Sequence, residues 1–161
     1  MNLTVSQIAG LAANAGFSGN DLATAVAVAM AESQGNPQAY NPEKAAGAAQ
    51  GQGSFGLWQI YLAAHPEFAS ENLLDPQINA AAAFAVYSNA GNSFHPWTTF
   101  TSGTYQAYMG AVVDFLNASA APASAPEETV SMVTPDGSQT LMMIGAGALA
   151  LLFLMWTFNG S

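Results

Sequence analysis

The chain has 161 residues, enough for one domain with a sizeable core and some chain to spare. Ten acids face a single basic side chain, Lys44, and the formal net charge is −9. Nucleic-acid binding is therefore excluded, because a single cation cannot replace the counterions of several phosphates, and docking on anionic lipid through a basic patch is excluded as well. The chain has no cysteine, so it has neither disulfides nor thiolate chemistry.

The first element is a short helix with a clear start. Thr4 and Gln7 have the spacing of a capping box, in which each side chain bonds the backbone N–H of the other residue. A helix should therefore cover residues 5–15, and Gly16 should end it in a left-handed conformation.

The second helix carries the first candidate for chemistry. Ser18 offers its N-cap, and the helix should run to about residue 33, before Gly35 and Pro37. Glu32 lies in the last turn, on the face of the helix that also carries Val28. If that carboxyl is buried there, desolvation raises its pKa, and a carboxyl still protonated near neutral pH can act as a general acid.

The middle of the chain predicts a loop, a turn and a third helix. Residues 36–55 are rich in Gly, Ala, Gln and Asn, which favours a long ordered loop of functional importance. Residues 56–62 should form a short helix or turn that lines a cleft together with this loop. Asp75 followed by Pro76 is a typical helix start, so a helix should cover residues 76–89.

The last helix of the domain follows an aromatic, irregular segment at residues 93–100. It should cover residues 104–117, with Tyr105, Tyr108 and other apolar side chains along one stripe. Four or five helices and no convincing strand predict an all-α domain over residues 1–117.

The composition changes after residue 117. Residues 118–140 contain three prolines, many small polar residues and no periodicity, which indicates a flexible or extended linker. Residues 141–158 carry no charge, and about 18 residues is just enough for a transmembrane helix. The first residues of the chain lack the pattern of a signal peptide, so we expect a tail-anchored protein with a single membrane pass.

Four blocks resemble the lytic transglycosylases of the lysozyme-like superfamily. Two of them, residues 31–37 (AESQGNP) and 53–60 (GSFGLWQI), are general to that family. The other two, residues 74–80 (LDPQINA) and 96–105 (PWTTFTSGTY), look most like the domains carried by phage virion proteins. The resemblance covers residues 4–117 and implies a lysozyme-like helical fold with a glycan-binding cleft, no cofactor and peptidoglycan as the partner.

The resemblance also implies a reaction. Glu32 would protonate the oxygen between N-acetylmuramic acid and N-acetylglucosamine, and would then take the proton of the muramyl C6 hydroxyl as that oxygen attacks C1. The product is a 1,6-anhydro sugar, and one carboxyl is sufficient. Most glycoside hydrolases use two carboxyls. Glu43 is the nearby candidate for activating water, so hydrolysis is the less favoured alternative.

Further residues match substrate-contacting positions of the family, and each has a structural alternative. Ser33 and Ser54 would position the acid or contact sugar, or would simply be helix-end and turn residues. Gln59 would contact glycan, or bond the loop to a helix. The remaining substrate-site candidates are Gly56, as a close backbone approach, and Trp97 and Tyr105, as cleft aromatics.

Other side chains compete for these roles or have none. Trp58 could stack on a sugar ring or could pack in the core. Tyr108, on the same helix stripe as Tyr105, is the alternative candidate for the cleft aromatic. His65 and His95 each precede a proline without a cluster of ligands, so no metal site is predicted.

A tail-anchored domain that stayed in the cytoplasm could not reach peptidoglycan. A virion component would reach it, because the protein would be delivered with the particle. We therefore expect a phage protein that contacts other virion proteins and opens the host cell envelope locally during genome entry, with residues 141–158 in a virion or host membrane. One alternative is a structural virion protein whose domain binds glycan without cutting it. Another is a holin-like or spanin-like lysis protein, which the large folded domain disfavours.

Overall fold

The computed structural model describes residues 1–42 and 52–120, together with the backbone of residues 130–133 and 139–142. The chain divides into two compact units, Met1–Ala120 and Ala121–Ser161. Glu43 and Lys44 lie outside the described residues.

The first helix, α1, spans Val5–Ala15 and begins at the predicted capping box. The N–H of Gln7 donates to Thr4 Oγ1 at 3.3 Å, and the N–H of Thr4 donates to Gln7 Oε1 at 3.0 Å. Gly16 follows with a φ of 122°, and a side chain there would overlap the ring of Phe84. The residue after α1 therefore has to be small as well as conformationally free.

The second helix, α2, spans Gly19–Ser33. Ser18 occupies the N-cap position, but the prediction that its side chain caps the helix is wrong, because that side chain makes no capping hydrogen bond. At the other end Gln34 takes the left-handed conformation, with a φ of 53°, and terminates the helix one residue before Gly35.

Three two-residue strands form a small antiparallel sheet, so the expectation of no strand is wrong. They are β1 (Tyr40–Asn41), β2 (Ser54–Phe55) and β3 (Ile60–Tyr61), in the order β1-β2-β3. Strands this short cannot produce an alternating pattern of apolar residues, which explains why the sequence showed none. A turn joins β2 to β3, and a single 3₁₀ turn at Pro66–Phe68 follows.

The later helices are α3 (Pro76–Asn89), α4 (Thr98–Thr101) and α5 (Gln106–Ala120). The predicted cap of α3 is confirmed, since Asp75 Oδ1 accepts hydrogen bonds from the N–H groups of Gln77 and Ile78. The short helix α4 was not predicted. Helix α5 ends three residues later than predicted, so residues 118–120 belong to the domain and not to a linker.

Helix α2 is the centre of the first unit. Its segment of residues 25–29 is fully buried, and the helix packs against α1, α4 and α5, while α1 also packs against α3. Leu57 and Trp58, in the turn between β2 and β3, are fully buried as well. The first unit is therefore mainly helical, and β3 of the small sheet packs against α3.

In the second unit, β4 (Val130–Val133) pairs antiparallel with β5 (Gln139–Met142). Part of the predicted linker therefore has regular backbone pairing. The first two residues of the predicted membrane segment lie in β5, and its remainder, residues 143–158, lies outside the described residues. Within the described ranges, no helix is both long enough and apolar enough to cross a bilayer.

Candidate active site

Glu32 lies in the last turn of α2 and is partly buried. Desolvation raises the pKa of its carboxyl, and hydrogen bonding by Thr99 offsets only part of that increase. The Thr99 hydroxyl donates to Glu32 Oε1 at 2.7 Å. Glu32 is therefore held by a neutral donor and is biased towards the protonated form.

Two cavities adjoin at Glu32, with volumes of about 570 Å³ and about 330 Å³. Both are lined by Glu32, Asn41 and Gln59. The larger cavity is otherwise lined by one end of α2 and the following loop: Ala31, Ser33, Gln34, Asn36, Gln38, Ala39 and Tyr40. The smaller one is otherwise lined by β2, β3 and the residues that follow β3, by α3, and by the start of α4 with the two residues before it: Ser54, Ile60, Tyr61, Ala64, His65, Val86, Pro96, Trp97 and Thr98.

Glu32 is the one carboxyl among the described residues that line these cavities, and no Lys or Arg is found among them. The other titratable side chains in the walls are those of Tyr40, Tyr61 and His65. The rest of the surface consists mainly of amides, hydroxyls and small apolar groups, which suits a neutral, hydroxyl-rich ligand such as a sugar.

Gln59 lies beside Glu32 in both cavities and has a left-handed backbone, with a φ of 47°. Its Nε2 donates to the carbonyl oxygens of Gly56, at 2.9 Å, and Ala39, at 3.3 Å. These bonds fix the amide and use its donor end, which leaves Oε1 as the end that could accept a hydrogen bond from a sugar hydroxyl.

The turn that carries Gln59 is built on a buried asparagine. Asn79, fully buried in α3, accepts from the N–H of Trp58 at 2.9 Å, and its Nδ2 donates to the carbonyls of Phe55 and Leu73. Gly56 has a φ of 73°, and a Cβ there would overlap Asn79 and Leu73 O. The close approach expected at Gly56 is therefore made with Asn79 of α3 and with the backbone of Leu73, and Gly56 lines neither cavity.

Trp58 and Trp97 belong mainly to the core. Trp58 is fully buried and its Nε1 donates to Ala25 O at 2.9 Å, so its ring cannot stack on a ligand. Trp97 is 5% exposed, and its Nε1 donates to Trp58 O at 2.8 Å. Because Trp97 also lines the smaller cavity, only a small part of its ring could contact sugar.

The other predicted site residues are placed as follows. Ser33 lines the larger cavity, but its hydroxyl donates to Ala29 O at 2.9 Å within the helix. Ser54 lines the smaller cavity from β2. Tyr105 is partly buried, stacks on Phe100 with ring centroids 4.9 Å apart, and is not among the residues lining either cavity.

Sequence reasoning missed Thr99, Asn41 and Asn79. Thr99 lies in a segment predicted to be irregular, and Asn41 in a loop whose strands were not recognised. Asn79 could have been found, because it directly precedes four consecutive alanines, and an amide in such an apolar stretch is a candidate for a buried hydrogen-bonding group. His65 lines the smaller cavity, with Nδ1 3.2 Å from Glu67 Oε1. Within the described ranges, no group of three or more His, Asp or Glu side chains could hold a metal ion.

A family model described as a lysozyme-like domain matches residues 9–99, more than half of the chain. No curated protein and no solved structure matches the chain. The matched span contains Glu32, the turn with Gln59, and Thr99, which together form the site. The chain therefore belongs to the lysozyme-like domain family, which indicates an enzyme of the peptidoglycan-cleaving glycosidase and transglycosylase class.

Proposed function

We propose that the chain is a lytic transglycosylase that cleaves the bond between N-acetylmuramic acid and N-acetylglucosamine in peptidoglycan. The observation that carries this proposal is the partly buried carboxyl of Glu32, which among the described lining residues is the one carboxyl at the junction of the two cavities. A glycan strand lying through both cavities would place one glycosidic oxygen next to that carboxyl.

In the proposed reaction Glu32 begins protonated, as its raised pKa favours. It donates this proton to the glycosidic oxygen while the bond from that oxygen to muramyl C1 breaks. The muramyl C6 oxygen then attacks C1, and the Glu32 carboxylate accepts the proton that the C6 hydroxyl loses. A 1,6-anhydro ring forms, the acid is regenerated, and no water molecule is consumed.

The presence of one carboxyl in the described walls favours this route over hydrolysis, because most glycosidases that use water have two carboxyls. Hydrolysis requires a second group to activate water. Glu43 is the candidate from the sequence for that role, and the products of the reaction distinguish the two routes.

The decisive experiment is digestion of purified peptidoglycan by the whole chain, followed by mass spectrometry of the released fragments. Anhydro-muramyl ends are expected, each lighter by one water than the reducing ends that hydrolysis would give. Glu32→Gln should stay folded and release nothing. If the folded wild-type protein releases no fragments, the domain is a non-catalytic glycan-binding component, and if Glu32→Gln stays active, Glu32 is not the acid.

We further propose that the chain is a phage virion protein that contacts other virion proteins and acts at the host envelope during genome entry. This proposal is supported by the two phage-like sequence blocks and by the uncharged segment of residues 141–158, which would hold the protein in a virion or host membrane. An antibody against the chain should detect it in purified particles. Detection in infected cells but not in particles would contradict this role.

A further inference from the structure

We propose that Thr99 is a positioning residue for the reaction: its hydroxyl fixes the orientation of the Glu32 carboxyl and stabilises that group after it has given up its proton. This inference depends on the proposed function, because it assigns a role within that reaction. The sequence did not point to Thr99, and its place in the site comes from the fold.

The contact is short and direct. Thr99 Oγ1 donates to Glu32 Oε1 at 2.7 Å across two different helices, α4 and α2. With Oε1 occupied as an acceptor, the proton of the neutral carboxyl belongs on Oε2. The hydrogen bond thus decides which oxygen is available to donate the proton to the glycosidic bond.

Two indole N–H groups help to connect α4, the helix that carries Thr99, to α2. Trp58 Nε1 donates to Ala25 O in α2, and Trp97 Nε1 donates to Trp58 O. Trp97 is the residue that precedes α4, so α4 is tied to α2 both through the tryptophans and through the bond from Thr99 to Glu32. These linked hydrogen bonds limit the movement of the Thr99 hydroxyl relative to the Glu32 carboxyl.

The hydrogen bond changes strength during the reaction. A hydroxyl bonds an ionised carboxylate about twice as strongly as a neutral acceptor. Thr99 therefore stabilises Glu32 more after proton donation than before it, and an interaction that strengthens along the reaction lowers the barrier. Thr99 also limits the rise in pKa that burial causes, so Glu32 is able to release its proton.

Among the described residues, no charged group contributes to the shift in the pKa of Glu32. Burial raises the pKa of Glu32, and hydrogen bonding by Thr99 opposes that rise. Of the helices packed against α2, α1 and α4 carry no titratable side chain, and α5 carries Tyr108 and Asp114. The titratable side chains of the cavity walls are Tyr40, Tyr61 and His65.

The test compares Thr99→Val, Thr99→Ser and Thr101→Val over a range of pH. Thr101 is the matched control, since it lies in the same helix and its hydroxyl donates to Thr98 O and not to Glu32. The rate of muropeptide release should fall about tenfold in Thr99→Val, because a hydrogen bond to a forming charge is lost. Its activity should also persist to higher pH than that of the wild type, because the ionised form of Glu32 has lost its donor.

Thr99→Ser should restore both the rate and the pH profile, and Thr101→Val should change neither. A Thr99→Val enzyme with a lower rate but an unshifted pH profile would mean a merely structural role and would overturn the proposal. So would a Thr99→Ser enzyme as impaired as Thr99→Val.

A second measurement separates failure of this inference from failure of the proposed function. NMR titration of the Glu32 carboxyl carbon should show ionisation at higher pH in Thr99→Val than in the wild type, whether or not the protein cleaves glycan. If the wild type is inactive but the titration moves, the proposed reaction is wrong while the stabilisation of ionised Glu32 stands. If the titration does not move, Thr99 has no such effect.

Discussion

Replacement of Asn79 by alanine should destabilise the domain severely, because one side chain satisfies two buried backbone groups and a third that is partly buried. Asn79 is fully buried, accepts from Trp58 N at 2.9 Å, and donates to Phe55 O at 2.9 Å and Leu73 O at 3.0 Å. Each group left unpaired costs about 1–3 kcal/mol, and the missing amide also leaves a cavity. We expect a loss of about 4 kcal/mol, a large fraction of the roughly 5–15 kcal/mol that stabilises a typical domain.

Urea denaturation followed by tryptophan fluorescence measures this loss as a lower midpoint with an unchanged slope. Asn89→Ala is the matched control, since Asn89 is exposed at the end of the same helix, and its free energy of unfolding should change by less than about 0.5 kcal/mol. If Asn79→Ala unfolds at the same urea concentration as Asn89→Ala, the turn that carries Gln59 does not depend on the amide, and the reasoning is wrong.

Three other predictions concern Glu32, Gly56 and Trp58. Burial raises the pKa of Glu32 above its value in the unfolded chain, so the folded state binds more protons and loses stability as pH rises through the interval between the two values. Glu32→Gln should therefore be more stable than the wild type at pH 7, and the gain should disappear below a pH of about 4, as urea denaturation at both values would show. Gly56→Ala should lower the free energy of unfolding by at least about 2 kcal/mol, because its φ is positive and a Cβ would overlap Asn79. An unchanged melting temperature in thermal denaturation would refute this. Trp58→Phe should lower the free energy of unfolding by about 2–3 kcal/mol in the same assay, since it removes the donor to Ala25 O and leaves a cavity. A loss below about 0.5 kcal/mol would argue against that contact.

Local signals in the sequence were sufficient to predict the long helices. The capping box at Thr4 and the pair Asp75-Pro76 act within a few residues of the backbone groups they satisfy, so α1 and α3 begin where predicted. Ser18 shows the limit of such signals. It stands at the N-cap position with an extended backbone, but its hydroxyl makes no capping bond.

The small sheet and α4 could not be predicted, because contacts distant in sequence create them. Strand β2 pairs with β1 and β3 over two residues each, and β1 and β2 are twelve residues apart in the chain. Helix α4 has four residues, too few for a periodic apolar face, and the indole of Trp97 helps to hold it against the domain.

Some residues of the candidate site could likewise be predicted from the sequence, and others could not. Glu32 could be selected from the sequence because it lies in the block of residues 31–37 that resembles the family, whereas its place on an apolar helix face alone left a purely structural role equally open. The partner of Glu32 could not be selected, because Thr99 is 67 residues away and only packing brings the two side chains together. Similarly, Trp58 and Trp97 suited both a sugar-stacking role and a core role, and only their burial favours the core.

The scarcity of Lys and Arg in the chain affects the protonation of Glu32 at this site. An Arg or Lys within about 4–6 Å of Glu32 would lower its pKa by about 1–3 units and keep the carboxyl ionised, which would remove the proton that the reaction needs. The chain has no Arg and a single Lys, and among the described residues the carboxyl is held instead by a neutral hydroxyl. A hydroxyl can orient either protonation state of the carboxyl, whereas a cation would favour only the charged one. The shortage of positive charge that excludes nucleic acid thus also suits a lone acid that must gain and lose a proton in each catalytic cycle.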